Sequence, residues 1–225
     1  MGKEIELDVY LPHGYSRKRS YPVAYFNQSG TALRTGMMER SLDNLIGERV
    51  EPVIVVFIPT LGTNPVTSYE EYAGLFKDRY ARFVLKEVIP AIDGRYSIKN
   101  SPDERAMVGA GFSATATIHT AFNYPGHFHK IGLHNMWWDE GVAREYTPRI
   151  PDPESRMLLI YNDWASYAYR SPNEGTDVVA GARRFADALR EKGHDFTGVE
   201  YRQGGEWDDT INRLDKLFET LFPIR

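Results

Sequence analysis

Two hydrophobic patterns alternate along the chain. YPVAYF (21–26), PVIVVFIP (52–59) and RAMVGA (105–110) are apolar at nearly every position and rich in β-branched or aromatic residues, which predicts strands covered on both faces. HKIGLHN (129–135), RMLLIYN (156–162) and FTGVEYR (196–202) predict three further strands. EIELDVYLP (4–12) alternates apolar and polar residues and breaks at Pro12-His13-Gly14, so it reads as an edge strand. Between these runs the period lengthens. Met38, Leu42, Leu45 and Ile46 predict a helix over 37–48, and 75–96 is a long amphipathic helix that Pro90 should kink or break. SATATIHTAFNY (113–124), the stretch 177–193 closed by Gly193, and 208–222 complete the helices. Strands alternating with helices predict an α/β fold with a mostly parallel central sheet. No internal repeat or Gly/Ser/Pro linker divides the chain, so residues 1–225 are expected to form one domain. Segments 137–154 and 163–176 are polar and read as loops.

In such a sheet, ligands bind beyond the carboxyl ends of the strands. Those positions hold Asn27-Gln28, Pro59-Thr60, Gly109 to Phe112, His134-Asn135, Asn162-Asp163 and Gln203 to Trp207, a polar and aromatic set suited to lining a pocket.

Composition narrows the chemistry. The 225 residues are 42% hydrophobic and 26% charged, with a net charge of −4, which sets aside disorder and a nucleic-acid partner. No apolar stretch approaches the about 20 residues that span a bilayer, so no membrane partner is expected. The start, MGKEIELDVYLP, lacks the apolar core of a signal peptide. A cytoplasmic location is the expectation, with a secreted origin and a removed signal left open. Cysteine is absent, which removes disulfides, thiolate metal sites and a Cys nucleophile together. Histidine chemistry must come from His13, His119, His127, His129, His134 or His194. The His127-x-His129 pair has no third ligand nearby in sequence, so no metal and no cofactor is expected.

The most specific local signal is GAGFS (109–113), glycine-rich, following a strand and opening a helix. As a dinucleotide loop it sits late in the chain and has Ala114 where the strict pattern has a third glycine. The competing reading is a strand–turn–helix nucleophile elbow, G-x-S-x-G. Around it, DVYLPHGYSRKRSYPVAYF (8–26), SLDNLIGERVEPVIVVFIP (41–59), EVIPAIDGRYSI (87–98), DERAMVGAG with NYPGHF (103–111, 123–128) and YRQGGEW (201–207) follow one another in a recognisable order. The set resembles the putative-esterase family of α/β-hydrolases, which holds enterochelin esterases, feruloyl esterases and mycolyltransferases.

The resemblance implies an α/β-hydrolase fold, a Ser–Asp/Glu–His triad and a backbone oxyanion hole. Residue by residue, this chain departs from it. With Arg105-Ala106, Gly109, Pro125 and Phe128 aligned without a gap, the nucleophile slot falls on Gly111. A gapped register would instead make Ser113 the nucleophile. The family's G-G-H-x-W motif reads Gly204-Gly205-Glu206-Trp207 here, which puts Glu206 in the general-base slot, and no His follows residue 194. For the acid, Asp163 and Asp177 both remain candidates. Gln28-Ser29 replaces the family's His-Gly or His-Asp, although the backbone N–H donors of an oxyanion hole do not depend on those side chains.

Each candidate has a plainer reading beside it. Gly111 leaves room where a serine side chain would be, or simply serves a tight turn. Glu206 is a lone base or ligand acceptor, or a solvated carboxylate. His134, at a strand end on the ligand edge, is a replacement acid/base or a hydrogen-bonded strand-end residue. Trp137, Trp138 and Trp207 wall the pocket or belong to the core. Tyr69, Tyr72, Tyr167 and Tyr169 serve an aromatic ligand or are surface residues.

Three functions remain open. In the first, the protein has lost the hydrolytic pair and uses its pocket for non-hydrolytic chemistry on, or binding of, a bulky aromatic small molecule. In the second, it is an ester hydrolase with Ser113 as nucleophile. In the third, it is an inert partner subunit. A homo-oligomer is compatible with all three.

Overall fold

The computed structural model describes residues 4–155, 157–171, 176–205, 209 and 213–224, with the side chains of Ser29 and Thr31 excepted. Seven strands form the central sheet: β1 (Asp8–Tyr10), β2 (Val23–Asn27), β3 (Ile54–Ile58), β4 (Arg105–Ala110), β5 (Lys130–His134), β6 (Leu159–Tyr167) and β9 (Thr197–Gly204), in the order β1-β3-β2-β4-β5-β6-β9. Only β1 is antiparallel, and it forms the edge that its alternating pattern predicts. Two short strands, β7 (Arg170–Ser171) and β8 (Thr176–Asp177), pair apart from the sheet.

Strand periodicity sorts the side chains onto two faces. Ala24, Phe26, Val55, Phe57, Ala106 and Val108 face α2 (Met38–Leu45) and the last helix, α9 (Leu214–Leu221). Tyr25, Val56 and Met107 face the helical segment 77–95, while Ile131, Leu133 and Ile160 face α6 (Phe112–Asn123) and α8 (Val178–Glu191). Because both faces are covered, β2 through β5 are buried along nearly their whole length, as their unbroken apolar runs require.

Pro90 does not break its helix. α4 (Lys77–Phe83) passes through a π-turn at Val84–Val88 into α5 (Ile89–Arg95), and Pro90 sits in the first turn of α5, where an N–H is dispensable.

Both expected loops contain structure. Within 137–154, Asp139 caps α7 (Glu140–Tyr146) by accepting from Val142 N–H at 2.8 Å. Within 163–176, β6 runs on to Tyr167, so Asp163 lies inside the strand rather than beyond it. Two short helices, α1 (Ser29–Arg34) and α3 (Pro65–Tyr72), follow β2 and β3. Asn64 and Thr67 close a capping box at the start of α3.

Candidate functional site

β4 ends at Ala110, and the chain reverses into α6 through Gly111, whose φ of 56° and ψ of −122° place it at the apex of a strand–turn–helix elbow. Two glycines make the turn for different reasons. At Gly109 a Cβ would lie 2.3 Å from the Ser113 carbonyl oxygen, so the bare backbone lets α6 approach the strand. At Gly111 the positive φ disfavours a side chain, yet a Cβ there would meet nothing within 4 Å among the described residues. The apex therefore carries no hydroxyl, and no described residue fills the space beside it.

Ser113, the alternative nucleophile, is fully buried. Its Oγ donates to Ala110 O and accepts from Ala110 N–H, both at 2.9 Å, so the hydroxyl closes the turn and points back into the strand end. Neither a base nor solvent reaches it among the described residues, which is not the setting a serine nucleophile requires.

The elbow joins two other parts of the ligand edge. Gly111 N–H donates to His134 O at 3.0 Å, and Gly111 O accepts from Trp137 N–H at 3.2 Å. Trp137 in turn packs its ring 4.8 Å from Phe112, and Tyr69 meets the other side of Phe112 at 5.3 Å. Tyr169 stacks beyond Trp137 at 6.4 Å. The Trp137 indole is fixed by donating to Asp139 at 2.9 Å. Burial, with Asp139 nearby, pushes the Tyr69 phenol above its ordinary pKa. These rings form a half-exposed aromatic wall beside the apex. Trp138 does not belong to it: it is 2% exposed and packs 4.6 Å from Phe185 of α8. Tyr72 is likewise a core residue, donating to Thr60 Oγ1, whereas Tyr167 is exposed.

Gln28, between β2 and α1, has a left-handed backbone conformation (φ 72°), so the chain turns there at the ligand edge beside β4. α6 has no side-chain cap, and Phe112 N–H stands in its first turn, where N–H groups have no partner within the helix. Glu71 holds the neighbouring rim by accepting from Leu61 N–H and, at 2.8 Å, Gly62 N–H; its burial raises its pKa.

His134 and Asp163 come together. They are register partners on β5 and β6, both with no exposure, and His134 Nδ1 lies 2.8 Å from Asp163 Oδ2. Tyr161 OH donates to the same oxygen at 2.9 Å, and the buried Arg213 donates to Oδ1 at 3.1 Å. Asp177 is elsewhere, capping α8 through Ala180 N–H at 2.9 Å. Asn135 ties the strand ends together, donating to Gly205 O at 3.0 Å and accepting from Ala165 N–H at 2.8 Å. Glu206 and Trp207 lie outside the described residues. Arg213 and Tyr161 carried no signal in the sequence beyond ordinary helix and strand positions, whereas Asn135 stood among the strand-end positions expected at the ligand edge. Three of the remaining histidines have partners away from this edge: His119 lies between Tyr146 OH and Asp78, its pKa lowered by burial, His129 pairs with Asp103, and His194 meets Pro151 O at 2.7 Å. Among the described residues, no three His, Asp or Glu side chains are placed to hold a metal, and no helix is long and apolar enough to cross a membrane.

The family model described as "Putative esterase" matches residues 1–215 of this chain. The chain belongs to the putative-esterase family. Its structure is similar to that of a ferulic acid esterase, with a TM-score of 0.78 over 96% of this chain and 91% of the other, at 16% identity. In sequence it is 26% identical over 143 residues to an uncharacterized protein, YjcH, of Bacillus subtilis, covering 63% of this chain. It is also 27% identical over 209 residues to an endo-1,4-beta-xylanase/feruloyl esterase of Xylanibacter ruminicola, covering 87% of this chain. These alignments span 60% and 28% of the two relatives' own lengths. The fold is thus that of the α/β-hydrolase esterases, a mostly parallel sheet with flanking helices.

Proposed function

We propose that this esterase-family protein has given up the serine–histidine pair and uses its pocket to bind, or to act non-hydrolytically on, a bulky aromatic small molecule. The observation that carries the reading is Gly111 at the apex of the elbow: the place where a nucleophilic hydroxyl would stand has no side chain. The sequence supports it independently, since Glu206 occupies the slot in which the family motif carries its histidine. Without a nucleophile no acyl-enzyme can form, and the retained turn leaves an open space beside Phe112, Trp137 and Tyr69 that suits a flat ring. The similarity to a ferulic acid esterase makes hydroxycinnamate esters the natural first probes.

Titrating methyl ferulate while following tryptophan fluorescence tests the reading. Saturable quenching that weakens at least tenfold in Trp137→Ala, with no release of ferulate by wild type, is the expected result. A burst of acyl-enzyme, or fluorophosphonate labelling, that disappears in Ser113→Ala would overturn it in favour of a working esterase. A lack of quenching would overturn the pocket reading altogether.

A further inference from the structure

We propose that the chain forms a two-fold dimer in which β9 pairs antiparallel with β9 of a second copy, centred on Tyr201. The proposal is independent of what the pocket binds.

The two edges of the sheet are unlike. β1 is three residues long, and so short a strand offers little for another chain to extend. β9 has eight residues and pairs with β6 on one side only. Among the described residues, no backbone group bonds to its outer side. Successive N–H and C=O groups of a strand alternate between its two sides, so about half of those in β9 face outward. Free edges are commonly protected by proline, lysine or a covering segment. β9 holds neither proline nor lysine, and every one of its residues keeps some exposure.

The side chains select the partner. Strand periodicity puts Glu200 and Arg202 on the face toward α8, where Glu200 accepts from Arg183. It puts Val199, Tyr201 and Gln203 on the other face, where the Arg213 guanidinium lies 5.5 Å from the Tyr201 ring. Arg202 is exposed and has no charged partner among the described residues. A two-fold axis perpendicular to the sheet keeps both faces continuous across the joint. Directly opposed side chains share a face, so that axis must pass through a residue. An axis at Glu200 or at Arg202 would set like charges against each other. An axis at Tyr201 places Glu200 opposite Arg202 of the second copy, and the reverse, while the two Tyr201 rings meet and Val199 is covered by Gln203. Glu-x-Arg read backwards is therefore its own complement, and this is what favours a second copy over an unrelated strand.

The Glu200 carboxylate can take the arriving guanidinium. Its Oε1 accepts from Ser166 and Arg183, but Oε2 accepts at 2.9 Å from Arg183 Nε and has a second lone pair. Each joint then holds two arginines around one carboxylate, and the backbone bonds between the strands fix the register.

Sedimentation velocity of the full chain over a dilution series tests the proposal. Wild type is expected to sediment at twice the mass of one chain. Arg202→Glu opposes acidic side chains at both joints and should weaken dimerisation by about tenfold. Glu200→Arg combined with Arg202→Glu restores opposite charges and should recover the dimer. The chain has no cysteine, so a single introduced thiol reports position cleanly. Tyr201→Cys should form a disulfide-linked dimer on mild oxidation. Thr197→Cys should not, because the two copies of that position stand about 27 Å apart in this register. Should the double variant fail to fold through loss of the Arg183 bond, the Arg202→Glu shift and the two cysteine variants still decide the matter. A monomer at every concentration overturns the proposal and leaves the edge to solvent or to another chain. A dimer indifferent to Arg202→Glu, or one that links through Thr197→Cys and not through Tyr201→Cys, overturns it in favour of a different interface.

Discussion

Gly109 and Gly111 stand two residues apart and answer to different constraints, and substitution separates them. Gly109→Ala forces a Cβ against the backbone of α6, so stability in urea should fall by about 1–3 kcal/mol, as for other overpacked cores. Gly111→Ser meets none of the described residues and carries the cost of a positive φ, about 1–2 kcal/mol. If the lost pair explains the function, Gly111→Ser with Glu206→His should hydrolyse 4-nitrophenyl acetate faster than either single variant; no gain over both singles would count against that explanation. The buried cluster makes a larger stability claim. Arg213→Met leaves Asp163 charged and uncompensated in the interior, and should cost about 3–5 kcal/mol in a denaturant titration. Gly111 was legible because the elbow has a sequence signature. Arg213 was not: it meets Asp163 across 50 residues of chain, and nothing in a helical pattern marks which arginine turns inward.

At the level of elements, burial decided what the sequence could reveal. The strands covered on both faces were legible as apolar runs, and α8 as an amphipathic period. α7 was missed because its short span buries only Val142 and Tyr146, too few for a period, and it depends on the Asp139 cap. Asp139→Ala should therefore destabilise by about 1 kcal/mol and also shift Trp137 emission, since the same carboxylate holds the indole. β6 was read too short because its second half, NDWASY, is polar; Asn135 and Glu200 satisfy it from outside. Glu200 on β9 accepts from Arg183 of α8 and from Ser166, and these bonds hold its carboxyl near a pKa of about 2, against 4.5 ordinarily. Between those values the unfolded chain binds more protons, so the contribution is full above about pH 4.5 and is lost as pH falls toward 2. Because the pair is partly exposed the effect is modest, up to about 1 kcal/mol. Urea midpoints at pH 6, 4 and 3 should converge for wild type and Glu200→Gln as the pH falls; parallel curves would remove Glu200 from the account.

For the whole molecule, the alternation of strand and helix was enough to give the fold, because each buried strand needs a helix on either face. What it did not give was which side of the sheet each strand-end group occupies. His134 and Asp163 were both named from sequence, but only strand register puts them on the same face, toward α9.

The π-turn in the helix of residues 77–95 keeps one stripe of side chains on the sheet. Buried positions there recur every four residues: Tyr80 with Ala81, Val84 with Leu85, Val88 with Ile89, then Ile92. A regular α-helix gains about 40° for each four-residue step, so by the third step the stripe would have rotated by about 120° off the sheet. One extra residue, worth about 100°, brings it back. The π-turn thus absorbs one residue without a loop, and removing one residue from Val84–Val88 should restore a uniform helix while leaving Ile89 and Ile92 facing the sheet.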